Sequence, residues 1–271
     1  MISFEKEYFN LGFIDKLAYK DCFMQSIDPR VKIITTAAFT IVVVSYSKYE
    51  LTGLMPFFLF PMVCSSLGDV PIKYILKKLI FFSIFPLLIG IFNPLIDTKP
   101  VFFFMNTSVS GGWISLISIF LKFQLTFSFA VIFIATTPLP QVCAALKRLG
   151  VPDIFTSQLM FLYRYIFVLA EETMKMLRAR GLRTFGEASI SMRDFINMAA
   201  VLFIKTCERA ERIYRAMLSR GFSNTIHSIK DISLKSADLL YLAITTGLLI
   251  FFRLYDVAAL SGKAITRGFL R

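Results

Sequence analysis

The chain has one histidine, His227, and four cysteines with no C-x-x-C pair among them. A lone imidazole cannot build a metal site. Cys22, Cys64, Cys143 and Cys207 are too scattered to signal a zinc site or a disulfide framework. Glycine is sparse, 13 residues in all, and Gly111-Gly112 is the only doublet, read as a loop. No Walker lysine motif, no H-E-x-x-H and no G-x-S-x-G occurs, so no catalytic residue is assigned. The first 31 residues mix charged and apolar side chains without an apolar h-region, so no cleavable signal peptide is expected.

Charge is also scarce, at 18% of residues, while 56% are hydrophobic and thirty are phenylalanine. A mean hydropathy of +0.67 exceeds what a soluble domain of roughly 45–50% apolar residues carries. A bilayer removes the need to hide such a surface, so the class is an integral membrane protein. The net charge of +12 resembles that of a nucleic-acid binder, but its distribution argues against nucleic acid as a partner. Fifteen of the 30 Lys and Arg lie between Pro138 and Lys235, and five more in the first 32 residues. Basic residues gathered beside apolar runs follow the positive-inside rule.

Five spans are predicted, at about residues 31–46, 51–67, 79–96, 113–137 and 237–252, giving an all-α, polytopic fold. Asp28 is placed as an N-cap and Pro29 at the first helical position, where its missing N–H costs nothing. Gly68-Asp69-Val70-Pro71 ends the second span, with Lys73, Lys77 and Lys78 following before the third. A short connector over 97–112 carries only Lys99, and Trp113 fits an interfacial anchor. Lysine-rich loops placed inside put the N-terminus and the segment 138–236 in the cytoplasm. The outside C-terminal tail, with Lys263, Arg267 and Arg271, runs against that rule. The expected division is 1–137, 138–235 and 236–271. Residues 154–170 are nearly all apolar but number about 17 around a central Arg164, short of the ~20 apolar residues a span needs. A helix at or below the membrane surface is preferred there, with a sixth span as the alternative.

Two long helices are legible in the basic insert, at about 154–181 and 192–221. In the first, Leu159, Leu162, Ile166, Leu169, Thr173 and Met176 make a 3-4-3-4-3 stripe whose next step is Arg180. In the second, Ile196, Ala199, Phe203, Thr206, Ala210, Ile213 and Met217 lead to Arg220. Such stripes are packing seams. Each arginine is followed by glycine, Gly181 and Gly221, the residue suited to an αL helix stop. One such arginine is explained by the helix macrodipole, worth roughly 0.3–1 kcal/mol. Two matched sites favour a shared purpose, and arginine suits bidentate docking of a carboxylate in a protein groove.

At these residues the sequence resembles the transmembrane T component of energy-coupling factor transporters, the EcfT/CbiQ family. That family's two cytoplasmic coupling helices each end in an Ala-Arg-Gly-like triplet. Here the triplets are Ala179-Arg180-Gly181 and Ser219-Arg220-Gly221, the second with Ser in place of Ala. Asp28-Pro29-Arg30-Val31-Lys32, Thr136-Thr137, and Arg164 with Glu171 are further marks in the same order. The stretch from Ile14-Asp15-Lys16 to Arg30 and the phrase Ile89-Gly90-Ile91-Phe92-Asn93-Pro94 look most like the CbiQ branch, which serves cobalt uptake. The resemblance implies two ABC-type ATPase subunits below the membrane and a substrate-binding S component within it. Arg180 and Arg220 would each enter a groove of one ATPase, and ATP-driven closure would reorient the S component. The T component itself would be non-catalytic, with no cofactor and no metal, in the plasma membrane of a prokaryote.

Lys122 lies near the middle of the fourth span on a polar stripe with Ser115, Ser118 and Thr126. Two readings stand: it faces a membrane partner or cavity, or it pairs with another span for folding. Asp238 is read as the cap of the fifth span. Arg164 and Glu171 are expected to pair with charges on other helices. A T component for vitamin uptake, a self-contained secondary transporter and a membrane enzyme are the competing classes. The first differs only in its S component. The second calls for inverted hydropathy repeats, and the third for clustered acids, His or Cys in the insert.

Overall fold

The computed structural model describes residues 17–20, 22–48, 50–96, 100–104, 107–184, 191–222 and 234–255. Ile14, Asp15, Lys16, Lys99, His227, Lys263, Arg267 and Arg271 lie outside the described residues. The chain divides into two compact units, one of Leu17–Pro138 with Ile232–Arg271, the other containing Leu139–Asp231.

In the first unit a single turn, α1 (Phe23–Ser26), precedes α2 (Pro29–Val44). The Asp28 carboxylate accepts the Arg30 N–H at 2.8 Å and Pro29 occupies the first turn, so α2 starts with one orphan donor satisfied. A 3-10 stretch, Thr52–Phe58, runs into α3 (Leu59–Leu67). The left-handed residue that stops α3 is Asp69, with φ 48°, rather than Gly68. Val70 N–H reaches Ser65 O and Asp69 N–H reaches Ser66 O, closing a Schellman turn. Gly68 serves a different need: a Cβ there would lie 2.9 Å from Thr136 Cγ2.

The third expected span starts earlier than residue 79, and its interruptions follow its prolines, as the sequence indicates. Helix α4 (Ile72–Phe82) begins directly after Pro71 and takes Lys73, Lys77 and Lys78 into its first two turns. Pro86 has no N–H for the Phe82 carbonyl and Pro94 none for the Gly90 carbonyl, so the helix breaks before α5 (Ile84–Gly90) and again before α6 (Asn93–Ile96). The connector is a short antiparallel hairpin, β1 (Pro100–Phe104) with β2 (Thr107–Ser110), pairing Phe102 with Val109 and Phe104 with Thr107. Gly111-Gly112 is no loop: both residues open α7 (Gly111–Thr136). A Cβ on Gly112 would lie 2.4 Å from Pro94 Cα and 2.6 Å from Asn93 O, so glycine is required for close approach to α6.

Helix α7 is the central element, touching α2 through α6. Its Phe129 stacks on Phe39 of α2 at 4.5 Å, and Phe57, Phe60 and Phe252 close the cluster. Helix α11 (Ser236–Leu254) completes the unit. Among the described residues α7 and α11 are the two helices long and apolar enough to cross a membrane unaided. At about 1.5 Å per residue, the 16 residues of α2 reach about 24 Å, less than a hydrocarbon core of about 30 Å.

The two lysines of α2 and α7 cap each other's helix. Lys32 donates to the carbonyl of Thr136, the last residue of α7, at 3.1 Å. Lys122 donates to the carbonyls of Val44 and Tyr46, at and just beyond the end of α2, at 3.3 and 2.5 Å. Both occupy places where helix ends leave carbonyls unpaired and the macrodipole favours a cation. Around the same polar stripe Asn93 donates to Ser115 at 3.1 Å and Gln124 to Ser83 at 2.7 Å.

In the second unit α8 (Leu139–Arg148), absent from the sequence reading, ends on Gly150 at φ +97°. Val151 N–H to Leu146 O and Gly150 N–H to Lys147 O make this a second Schellman turn. Helix α9 (Asp153–Arg183) follows, with residues 154–170 as its unbroken first half, and then α10 (Met192–Leu218).

Candidate functional site

Helices α9 and α10 run antiparallel. Phe161 meets Phe222 at 6.2 Å between ring centroids, Lys205 reaches Glu172 at 3.4 Å, and Arg180 reaches Asp194 at 2.9 Å. Phe161, Tyr165 and Leu169 of α9 face Ala210, Ile213 and Met217 of α10 across a groove of about 470 Å³. The expected α10 seam is therefore in place over its second half, but the α9 seam is turned. Leu159, Leu162 and Ile166 of its first half are exposed, and Phe161 and Tyr165 pack in their place beside the seam's own Leu169. The cause is that α9 is apolar nearly all round between 159 and 169, so two ridges at helical spacing compete. The larger aromatic one faces the partner helix.

No residue of α10 is buried. Phe195, Ile196, Phe203 and Ile204 are each more than half exposed. Such an apolar face lacks a partner within the described residues and is of the kind that marks an interaction site. Ion pairs along the helix, Glu208 with Arg212 and Glu211 with Arg215, support it locally by about 0.3–0.5 kcal/mol each.

The two Arg-Gly pairs are not equivalent. At the second, the helix ends as the sequence predicts: Gly221 is left-handed at φ +78°. Phe222 N–H bonds Met217 O and Gly221 N–H bonds Leu218 O, a Schellman turn that aims Phe222 at Phe161. Ser219, its hydroxyl on Arg215 O, and Arg220 are exposed, and no acid pairs with Arg220 among the described residues. At the first, Gly181 is not a stop. The helix continues through Leu182 and Arg183, and closes at Thr184, which bonds Arg180 O through both N–H and hydroxyl. Glycine inside a helix costs only about 1 kcal/mol, and Leu and Arg after it are good helix formers. Ala179 is exposed, whereas the Arg180 side chain is 18% exposed and held by Asp194.

These conformations predict opposite responses to alanine. Gly221→Ala should lower the stability of the helix end by about 1–2 kcal/mol, because a Cβ clashes in the left-handed region. Gly181→Ala, in a helix interior, should leave stability unchanged or raise it by up to about 1 kcal/mol. Thermal unfolding of the purified protein in detergent, wild type against each variant, checks both.

Glu171 pairs with Lys175 on its own helix at 2.9 Å, and that hydrogen bond lowers the carboxyl's pKa and raises the amine's. Arg164 is exposed, with no ion-pair partner among the described residues. Among the described residues, neither of these two pairs with a charge on another helix. One turn of α9 satisfies Glu171. Asp194 was missed from the sequence. An acid in a helix's first turn reads as a macrodipole group, and only the antiparallel pairing brings it to Arg180. Among the described residues no group of His, Cys, Asp and Glu could hold a metal ion.

Comparison with known proteins bears on this arrangement. The cobalt transport protein family, CbiQ, matches over residues 21–232. An uncharacterized protein of Methanocaldococcus jannaschii is 33% identical over 89% of this chain and 86% of its own length. The energy-coupling factor transporter transmembrane protein EcfT of Bacillus subtilis is 28% identical over 72% of this chain and 79% of its own. The cobalt transport protein CbiQ of Salmonella typhimurium is 28% identical over 33% of this chain and 40% of its own. The chain belongs to the CbiQ/EcfT family of transporter membrane components.

Proposed function

We propose that the chain is the T component of an energy-coupling factor importer. It transmits closure of two cytoplasmic ABC-type ATPase subunits to a substrate-binding S component in the membrane. The observation that carries this reading is the pair of arginines at the ends of two long antiparallel helices, Arg220 exposed beyond α10 and Arg180 near the end of α9. A guanidinium held at a helix end is suited to a carboxylate-lined groove. The apolar, unburied face of α10 supports a second contact, with the S component. The chain supplies no catalytic group in this scheme; ATP is bound and cleaved by the partners.

Residues 138–235 would form the cytoplasmic coupling region, between the four spans of 1–137 and the last span of 236–271. The protein would cross the plasma membrane of a prokaryote several times. Cobalt as the transported ion is supported by the family's description and the names of its members. Vitamin uptake is the second reading, since EcfT of Bacillus subtilis, whose name carries no cobalt, matches at the same 28% identity as CbiQ of Salmonella typhimurium and over more of the chain. Co-purification of the ATPase subunits with the wild-type chain and with the Arg180→Ala/Arg220→Ala variant tests the proposal. Equal retention by both would overturn it.

A further inference from the structure

The chain leaves its spanning unit after Pro138 and returns to it at Ile232. One turn of α2 grips both places. At the exit, Lys32, 1% exposed, donates to Thr136 O at 3.1 Å and to the Thr137 hydroxyl at 3.5 Å. At the return, the N–H of Asp28 donates to Asp238 Oδ1 at 2.9 Å, and Asp238 Oδ2 accepts the N–H of Lys235 at 2.8 Å. Asp28 and Asp238 are each 3% exposed. The start of α2, the end of α7 and the start of α11 therefore meet through the buried side chains of Lys32 and Asp238 and the backbone N–H of Asp28, whose own carboxylate caps α2 at Arg30 N–H.

Holding three helices together does not require this. Packed apolar residues of similar volume do so as well or better, because burying charges carries a desolvation cost. Directional bonds achieve something apolar packing cannot: they fix the register of each chain crossing against one turn of α2. Asp28 and Lys32 are four residues apart, so a displacement of either crossing is passed to the same helical turn. We propose that Asp28, Lys32 and Asp238 form the joint through which motion of the cytoplasmic insert reaches the membrane helices. This rests on the coupling role proposed above, and it assigns to these residues a positioning role in transport.

The test uses the chain reconstituted in liposomes with its ATPase and substrate-binding partners, and labelled cobalt ion as the probe. In Lys32→Met and Asp238→Asn, the ATPases should co-purify and hydrolyse ATP as with wild type. Cobalt taken up per ATP hydrolysed should fall about tenfold, the scale of a typical coupling between sites. Lys32→Arg, which keeps a cationic donor, should recover part of that ratio. An unchanged ratio in both variants would overturn the joint, as would uptake that falls only in proportion to the amount of assembled complex. Asp238→Asn retains an oxygen for Lys235 N–H, so it stays informative where Lys32→Met does not fold. Failure of the wild-type chain to retain its ATPases would instead refute the coupling role itself, and the joint with it.

Discussion

Alanine at both Arg180 and Arg220 is expected to release the ATPase subunits on purification and to abolish uptake, with the membrane helices intact. Removing one partner of a desolvated interfacial charge pair typically costs 2–5 kcal/mol, roughly a 30-fold to several-thousand-fold loss per site. Two such losses exceed what a complex survives during washing. The single variants should not be equal. Arg220 is exposed and without an acid among the described residues, whereas Arg180 begins paired to Asp194. A part-exposed pair of that kind is worth about 0.2–1 kcal/mol, which Arg180 gives up on docking. Arg220→Ala should therefore weaken association more than Arg180→Ala. Lysine should not substitute at either place, since it lacks the planar fork. Quantifying ATPase retained per chain across the five variants gives the ranking; a double variant that retains its ATPases removes the arginines from docking.

Phe39→Ala should be the most damaging single substitution in the first unit. Phe39 is fully buried, stacks on Phe129 at 4.5 Å and meets Phe57 and Phe60 at 6.1 and 5.6 Å. Those rings come from α7, the 3-10 stretch and α3, so truncation opens a cavity shared by four elements. Buried Phe→Ala changes cost about 3–5 kcal/mol, comparable to much of a domain's net stability. Phe39→Leu leaves a smaller void and should cost clearly less. Thermal unfolding in detergent, monitored by loss of monodisperse protein, is the measurement. A Phe39→Ala protein as stable as wild type would show that the cluster does not hold these helices together.

The parts of the fold written in local chemistry were legible. Asp28-Pro29 marks the start of α2, and the two long insert helices lie within a few residues of the positions their periodicity indicates. Gly221 ends α10 as glycine after an apolar stripe suggests. Features that depend on a distant partner were not legible. Gly181 has the same local phrase as Gly221, yet the helix runs past it. Gly111-Gly112 looked like a loop because glycine commonly is one; the reason for it, the backbone of Asn93 and Pro94, lies elsewhere in the sequence. Around 159–169 the phase of α9 could not be read, because apolar residues occupy every side. Asp194 carries no mark of its pairing with Arg180 in its own neighbourhood. The roles of Lys32 and Lys122 needed the ends of other helices to be located first.

The exchange of lysines between α2 and α7 bears on how the protein is made. Lys32 and Lys122 lie ninety residues apart, by 122 − 32, and each satisfies carbonyls at the end of the other's helix. A nascent α2 reaching the bilayer alone would carry an unpartnered ammonium at one end and bare carbonyls at the other, each unfavourable in hydrocarbon. The same holds for α7, whose ammonium sits mid-helix. Helix α2 thus has no comfortable resting place in lipid until α7 arrives. Insertion of this chain is accordingly expected to proceed by pairs rather than helix by helix, with the early segment held at the membrane insertion machinery until its counterpart is translated.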